Sequence, residues 1–143
     1  SKFLTIENHP ESMTLLVQKE VAERIVARDG KESILSISVK AFGTPKYVMK
    51  VGKKFFSPAP KVDSAIITIK NISKKNFKDS IEEELFFKIL KAGFAHKRKV
   101  LIKNLEEELG KEKLLAFFTK ENLITKIRAE DLKLETWIKL GNN

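Results

Sequence analysis

At 143 residues, with 42% hydrophobic and 33% charged side chains, the chain is long enough for one compact domain or two small ones, and its composition is that of a folded protein rather than a disordered tail. Its 28 Lys and Arg against 19 Asp and Glu give a formal charge of +9, which favours a polyanionic partner, nucleic acid before an anionic membrane, although a generically basic protein would show the same balance. The absence of cysteine excludes disulfides, thiol nucleophiles and thiolate metal sites and suits a reducing, cytoplasmic setting; His9 and His96 lack metal-ligand spacing, so no metal is expected, and no apolar run approaches the about 18 residues of a membrane span.

Residues 1–8 carry Phe3, Leu4 and Ile6 without a polar lead-in and read as the end of a longer helix, followed by a turn at His9-Pro10-Glu11-Ser12. Met13 to Val17 is a short apolar run that fits a buried strand, and Val21, Ala22, Ile25 and Val26 then make a helical stripe that ends at Arg28-Asp29-Gly30. A strand feeding directly into a helix places Gln18 and Lys19 at the carboxyl end of that strand, where open α/β sheets gather ligands. Lys31 to Phe42 suits a helix better than a strand because of its length, and Gly43-Thr44-Pro45 should break it. Lys46 to Val51 and Val62 to Ile69 read as two strands that pair antiparallel.

Between them lies Phe55-Phe56-Ser57-Pro58-Ala59-Pro60-Lys61. Pro58 and Pro60 fix φ near −65° and push Ser57 and Ala59 toward extended backbone, so the loop should be stiff and non-helical. Phe56 on that mount is suited to stacking on a planar base, with Lys61 meeting phosphate. Equally open on physical grounds is Phe56 as a core aromatic, with the prolines merely closing a hairpin.

Asn71 to Asn76 is polar and aperiodic and marks a boundary, giving units at 1–72 and 73–143. Beyond it every element reads as helix: one opening with capping-box spacing at Ser80-Ile81-Glu82-Glu83, one through Leu101, Leu105 and Leu109 stopped by Gly110, one over Leu114 to Phe118, and one around Leu134, Trp137 and Ile138. Within this unit Lys88, Lys91, Lys97, Arg98, Lys99 and Lys103 run without an acidic residue, bracketed by Glu82-Glu83-Glu84 and Glu106-Glu107-Glu108. The run could grip phosphates, or it could be a solvated helix face.

The segment from Phe56 to Ala65 resembles the Phe-x-Pro-x-Pro-Lys-Val-Asp-Ser-Ala signature of the rRNA adenine dimethyltransferases, the KsgA/RsmA family. Val17 to Ile25 is similar to the family's strand-to-helix element and Leu35-Ser36-Ile37 to its Leu-Ser-Val segment. Phe94, Arg98-Lys99, Leu101 and Asn104-Leu105 are similar to its helical motif. The chain departs from the family at Glu32-Ser33, where Tyr-Gly is usual.

The resemblance implies an α/β plus all-α fold, the second half of a doubly wound, Rossmann-like methyltransferase sheet followed by a small helical domain. It implies S-adenosylmethionine-dependent dimethylation of adjacent adenosines near the 3′ end of small-subunit rRNA, a role in ribosome biogenesis, and the assembling small subunit as partner. Phe56 would stack on the target base, Pro58 and Pro60 would hold its loop, and Lys61, Lys97, Arg98, Lys99 and Lys103 would face RNA. The family's cofactor-binding glycine-rich loop has no counterpart among the six glycines here, and Asn8-His9-Pro10-Glu11 does not replace its Asn-Leu/Ile-Pro-Tyr/Phe motif. The chain therefore reads as a C-terminal fragment, inactive alone, with no cofactor-binding residues of its own and with an exposed sheet edge that invites self-association. A non-catalytic basic RNA- or ribosome-binding module is the alternative; a DNA-binding helical domain lacks an evident recognition helix.

Overall fold

A computed structural model describes residues 11–142. Its elements run β1 (Met13–Gln18), α1 (Lys19–Ile25), α2 (Ile34–Lys40), β2 (Thr44–Val51), β3 (Ser64–Lys70), α3 (Ser80–Gly93), α4 (Leu101–Leu109), α5 (Lys111–Lys120) and α6 (Leu134–Gly141). The expected helix end at 1–8 lies outside the described residues, as does the first half of the turn after it.

β3 is the middle of a three-stranded antiparallel sheet of order β1-β3-β2. Its β-branched alternation explains the placement: Ala65, Ile67 and Ile69 are buried, while Ser64, Ile66 and Thr68 on the other face are half-buried. α1 lays Ala22 and Ile25 on Ala65 and Ile67, with Val17, Val21, Leu35 and Tyr47 around them. A larger core gathers Ile37, Ala41, Phe42, Ile69 and Ile72 with Phe86, Ile89, Leu90, Leu101, Leu105, Phe117 and Trp137, so the sheet end and the helices of residues 80–141 share one packed interior. Aromatic edges close it: Phe77 meets Phe86 at 5.1 Å between ring centroids, Phe42 meets Phe77 at 5.7 Å, and Phe94 stacks on Trp137 at 5.5 Å. Gly93 is required there, since a Cβ at that position would lie 2.5 Å from the Trp137 ring.

Several expectations are corrected. β1 is not a buried strand: among the described residues it pairs only with β3, and Leu16, opposite Ile66 on the face away from α1, is 54% exposed. Residue Leu15 faces the helices but sits at the sheet edge and is 36% exposed. α2 is shorter than 31–42 because Ser33 caps it, its hydroxyl accepting from the Ser36 N–H at 3.1 Å while the Ser36 hydroxyl takes the Ser33 N–H at 2.8 Å. α2 ends before Gly43-Thr44-Pro45 as expected, but Thr44 and Pro45 already belong to β2, which starts ahead of Lys46 and is, among the described residues, an edge strand on which a missing N–H is tolerated. The cap of α3 is Asp79 rather than Ser80; its carboxylate takes the Glu82 N–H at 2.9 Å, and Glu82 in turn takes the Lys78 N–H.

The departure at Glu32-Ser33 has a structural use. Glu32 is 6% exposed, and its carboxylate accepts both bonds of the Lys40 ammonium at 2.9 Å and the Ser36 hydroxyl at 2.8 Å, with Lys133 at 3.6 Å. Its N–H donates to the Glu130 carbonyl, Lys133 donates to the Gly30 carbonyl, and Lys31 pairs with Asp131 at 2.7 Å. The α1–α2 connection is thereby pinned to residues 130–133 of the helical part. Burial opposes ionisation of Glu32, but the hydrogen bonds from Lys40 and Ser36 and the charge of Lys133 outweigh it and hold the carboxyl below its ordinary 4.5. A depressed carboxyl pKa stabilises the folded state above the unfolded value, and that contribution disappears as pH falls through the folded one. Glu32→Gln should therefore lower stability at neutral pH by roughly 1–3 kcal/mol. It should also lose less than the parent on acidification below pH 4.5. Urea unfolding midpoints followed from about pH 7 to about pH 3 check both effects.

Candidate nucleic-acid interface

β2 ends at Val51, Gly52 is extended, and Lys53–Phe55 forms a single 3-10 turn before Phe56 returns to extended backbone at φ −110°, ψ 149°. The Ser57–Pro58 peptide is cis, and Ser57 to Val62 stands in solvent. Phe56 is half-buried and belongs to neither core cluster, whereas Phe55 is 73% exposed. Pro58, Pro60 and Lys61 are all exposed.

Asp63 holds both ends of this loop. Its carboxylate accepts the Lys53 N–H at 2.9 Å, and its carbonyl accepts the Lys19 N–H, the first residue of α1, at 3.0 Å. The Lys50 ammonium lies 3.9 Å from the same carboxylate. The Lys53 N–H first, then the Lys50, Lys53 and Lys19 charges, hold the Asp63 carboxyl below its ordinary value, so it stays ionised at neutral pH. One residue later Ser64 pairs with Gln18 on one side and Val51 on the other. Gln18, Lys19 and the Phe56 loop therefore share the sheet end at which β1 passes into α1, as the strand-to-helix reading anticipates.

The basic run is less uniform than its sequence. Lys88 pairs with Glu108 at 3.7 Å and Lys103 with Glu106 at 3.9 Å, so one of the two acidic brackets, Glu106 to Glu108, folds back on the cluster, while Glu83 of the other pairs with Lys74. Lys97, Arg98 and Lys99 are exposed on the α3–α4 connection and make no ion pair among the described residues. Asn104 shapes that connection by donating to the Gly93 and His96 carbonyls, each at 3.0 Å. Lys97 and Lys99 line a cavity of about 590 Å³ with Phe94 and His96 on one wall and Arg24, Lys31, Ile34 and Leu35 on the other. Arg24 on this wall lies at the C-terminal end of α1, whereas the Phe56 loop is tied through Asp63 to Lys19 at its N-terminal end, so the basic loop and the Phe56 loop approach opposite ends of a helix roughly 10 Å long and are not brought together.

Sequence reasoning passed over three residues here. The role of Asp63 rests on a backbone N–H ten residues away, which no spacing reveals. Glu32 is paired with Lys133, about a hundred residues downstream. The exposure of Phe55 beside a half-buried Phe56 depends on the 3-10 turn, although two adjacent aromatics before two prolines were visible.

A family model described as ribosomal RNA adenine dimethylase matches residues 1–142. Proteins named ribosomal RNA small subunit methyltransferase A are similar along most of the chain. The one from Fusobacterium nucleatum is 40% identical over 129 residues, covering 88% of this chain and 48% of its own length. That of Dehalococcoides mccartyi strain CBDB1 is 40% identical over 141 residues, covering 97% and 48%. In Mycoplasmopsis pulmonis the match is 42% over 142 residues, covering 96% and 55%. The chain thus spans about half the length of the curated relatives it matches. Among solved structures, the 23S rRNA methyltransferase ErmE superposes with a TM-score of 0.75 at 20% identity, over 98% of this chain and 57% of that one. A dimethyladenosine transferase from Plasmodium falciparum gives 0.73 at 24% identity, over 97% and 59%. These likenesses show an α/β methyltransferase fold.

If the Asp63 carboxylate is what fastens the loop, Asp63→Ala should speed hydrogen exchange at the Lys53 amide several-fold while the Lys19 amide, held by a main-chain carbonyl that alanine keeps, and the urea midpoint stay nearly unchanged, because the site is exposed and outside the core. Unchanged exchange at Lys53 would mean that the 3-10 turn holds itself.

Proposed function

Because the chain belongs to the ribosomal RNA adenine dimethylase family, we propose that it supplies the base-holding loop and the RNA-docking helices of an S-adenosylmethionine-dependent enzyme that methylates adenosines of small-subunit rRNA. The observation that carries the reading is Phe56, on a loop fastened at both ends by Asp63 and set at the strand-to-helix end of the sheet. In the finer form of the proposal the product is dimethylated at adjacent adenosines near the 3′ end of the rRNA, during assembly of the small subunit in the cytoplasm.

The exocyclic nitrogen of adenine is a weak nucleophile because its lone pair is delocalised into the ring. The enzyme's work is then to hold the base out of its stack and fix the amino group in line with the methyl group to be transferred. A stacked aromatic contributes about 1–3 kcal/mol to that grip, and Phe56 takes this part, with Pro58 and Pro60 limiting the motion of its mount and Lys61 beside the backbone phosphate. Lys97, Arg98 and Lys99 meet phosphates further along the RNA, and Lys103 adds to them when Glu106 releases it.

S-adenosylmethionine would supply the electrophilic methyl group. Four of the glycines have other uses, which supports placing it elsewhere: Gly43 and Gly93 sit against side chains with no room for a Cβ, and Gly30 and Gly110 serve turns at φ +81° and +83°. The proposal therefore places the cofactor on residues beyond this chain and reads residues 1–72 as the second half of a doubly wound sheet, with 73–143 as the helical RNA-docking unit.

Two outcomes check the proposal. Binding of the chain to a hairpin from the 3′ end of small-subunit rRNA should weaken with salt, and replacing Lys97, Arg98 and Lys99 together by alanine should lower the log–log salt slope by about two to three. An unaltered slope would return these three to a solvated face. In the full-length enzyme, Phe56→Ala should abolish most methyl transfer while RNA affinity stays within a few-fold; undiminished transfer would remove Phe56 from the site.

A further inference from the structure

We infer that Phe55 is a second stacking platform, for an unpaired base neighbouring the one that Phe56 holds, so that the loop grips two consecutive nucleotides of single-stranded RNA. This rests on the RNA reading above.

Phe55 is 73% exposed, so the about 1.5–3 kcal/mol that burial of a phenylalanine contributes is largely forgone in this chain. A single exposed aromatic is ordinary on a protein surface, but the surroundings of this one are not those of a stray side chain. Its backbone is held: the Phe55 N–H donates to the Gly52 carbonyl at 3.1 Å, the Phe56 N–H to the Lys53 carbonyl at 3.2 Å, and the Lys53 N–H to Asp63. Gly52 lies beside the ring, where a Cβ would stand 3.7 Å from Cδ2 and Cε2, at ordinary contact distance. The Lys54 ammonium stands over the ring 5.5 Å from its centroid.

Charge selects the occupant. Lys53 and Lys54 directly precede the two phenylalanines, Lys61 follows on the same loop, and the acid that closes the loop, Asp63, is already taken by the Lys53 N–H and by Lys50. An apolar protein surface or a lipid chain would bring no partner for these ammonium groups. An unpaired nucleotide matches both features, its base lying on the ring and its phosphate within reach of Lys54 or Lys61. The backbone changes from the 3-10 turn to extended between residues 55 and 56, and the rings do not pair with one another among the described residues. Two platforms that differ in exposure, one half-buried and one open, suit two bases rather than two faces of a single base.

The test uses the 143-residue chain and a hairpin RNA whose loop carries 2-aminopurine at one or the other of two neighbouring positions, because stacking quenches that base. Phe55→Leu keeps apolar bulk and loses the aromatic face; Phe55→Trp keeps the face; Phe56→Leu is the parallel change. Phe55→Leu should weaken binding about fivefold to a hundredfold and restore fluorescence at one position only, while Phe55→Trp retains affinity and quenching. Phe56→Leu should restore fluorescence at the other position. Binding and quenching by Phe55→Leu within about twofold of the parent would overturn the inference while leaving the Phe56 reading intact. Loss of quenching with Phe55→Leu but not with Phe56→Leu would overturn the two-nucleotide grip and the Phe56 reading, leaving Phe55 as a lone platform. Absence of RNA binding by the parent chain would overturn both. Exposure of Phe55 makes misfolding of its variants an unneeded explanation, and Trp137, 1% exposed and bonded to the Leu132 carbonyl, provides a near-constant fluorescence reference for the fold.

Discussion

The hydrogen bonds of Asp63 are the constraint on which the proposed base-holding end of the molecule depends. Its side chain holds the turn that leaves β2, its main chain holds the turn that enters α1, and the next residue is the register point at which β3 meets both neighbouring strands. Without that knot the Phe56 loop would be a twelve-residue excursion between two strands, Gly52 to Asp63, with little besides its 3-10 turn and prolines to stiffen it. With it, the two ends of the loop are tied together before a ligand arrives, and the entropy of closing them does not subtract from binding. Ionised Asp63 also offsets the lysines around it, so the loop tolerates a dense positive charge without being driven open.

A second constraint sets the helical part against the sheet. The shared core does most of this by area, from Ile69 and Ile72 through the phenylalanine cluster to Trp137. Direction comes from the polar clasp in which Glu32 joins Lys40 and Lys133 while Lys31 joins Asp131. A buried carboxylate with two cations and a hydroxyl is a weak source of net stability but a poor tolerator of rearrangement, since any slip leaves a charge unpaired. The basic α3–α4 connection thus keeps a fixed offset from the Phe56 loop, and an RNA strand contacting both must run the length of α1. The cavity beside Lys97 and Lys99 lies on that route, between the clasp and the basic connection.

Much of the fold was legible because the signals were local. The β-branched alternation from Ser64, the apolar stripe of α1 and the stop at Gly110 each depend on a few neighbouring residues, whereas α1 ends at Ile25, before the expected Arg28-Asp29-Gly30, as the chain turns through Ala27 at φ 52°. What failed depended on distant partners or on competition between near-equal local choices. Leu15 and Leu16 read as buried because apolar residues in a strand usually are; their exposure follows from β1 being an edge among the described residues, a property of topology. Asp79 and Ser80 are both able to cap, and the acid next to the helix took the position. Phe56 and the basic run were visible as motifs, and so was the i,i+3 spacing of Lys103 and Glu106, but the pairing of Lys88 with Glu108, which leaves Lys97, Arg98 and Lys99 without an ion pair among the described residues, needed the return of α4 alongside α3.

The central claim is that RNA is gripped at two separate places, an aromatic loop for bases and a basic connection for the backbone. Ultraviolet cross-linking of the chain to a small-subunit rRNA 3′ hairpin, with the attached peptides identified by mass spectrometry, tests it most directly. The account predicts adducts concentrated in residues 53–61 and 96–103. Adducts confined to α5 or α6, with both segments unmodified, would contradict it.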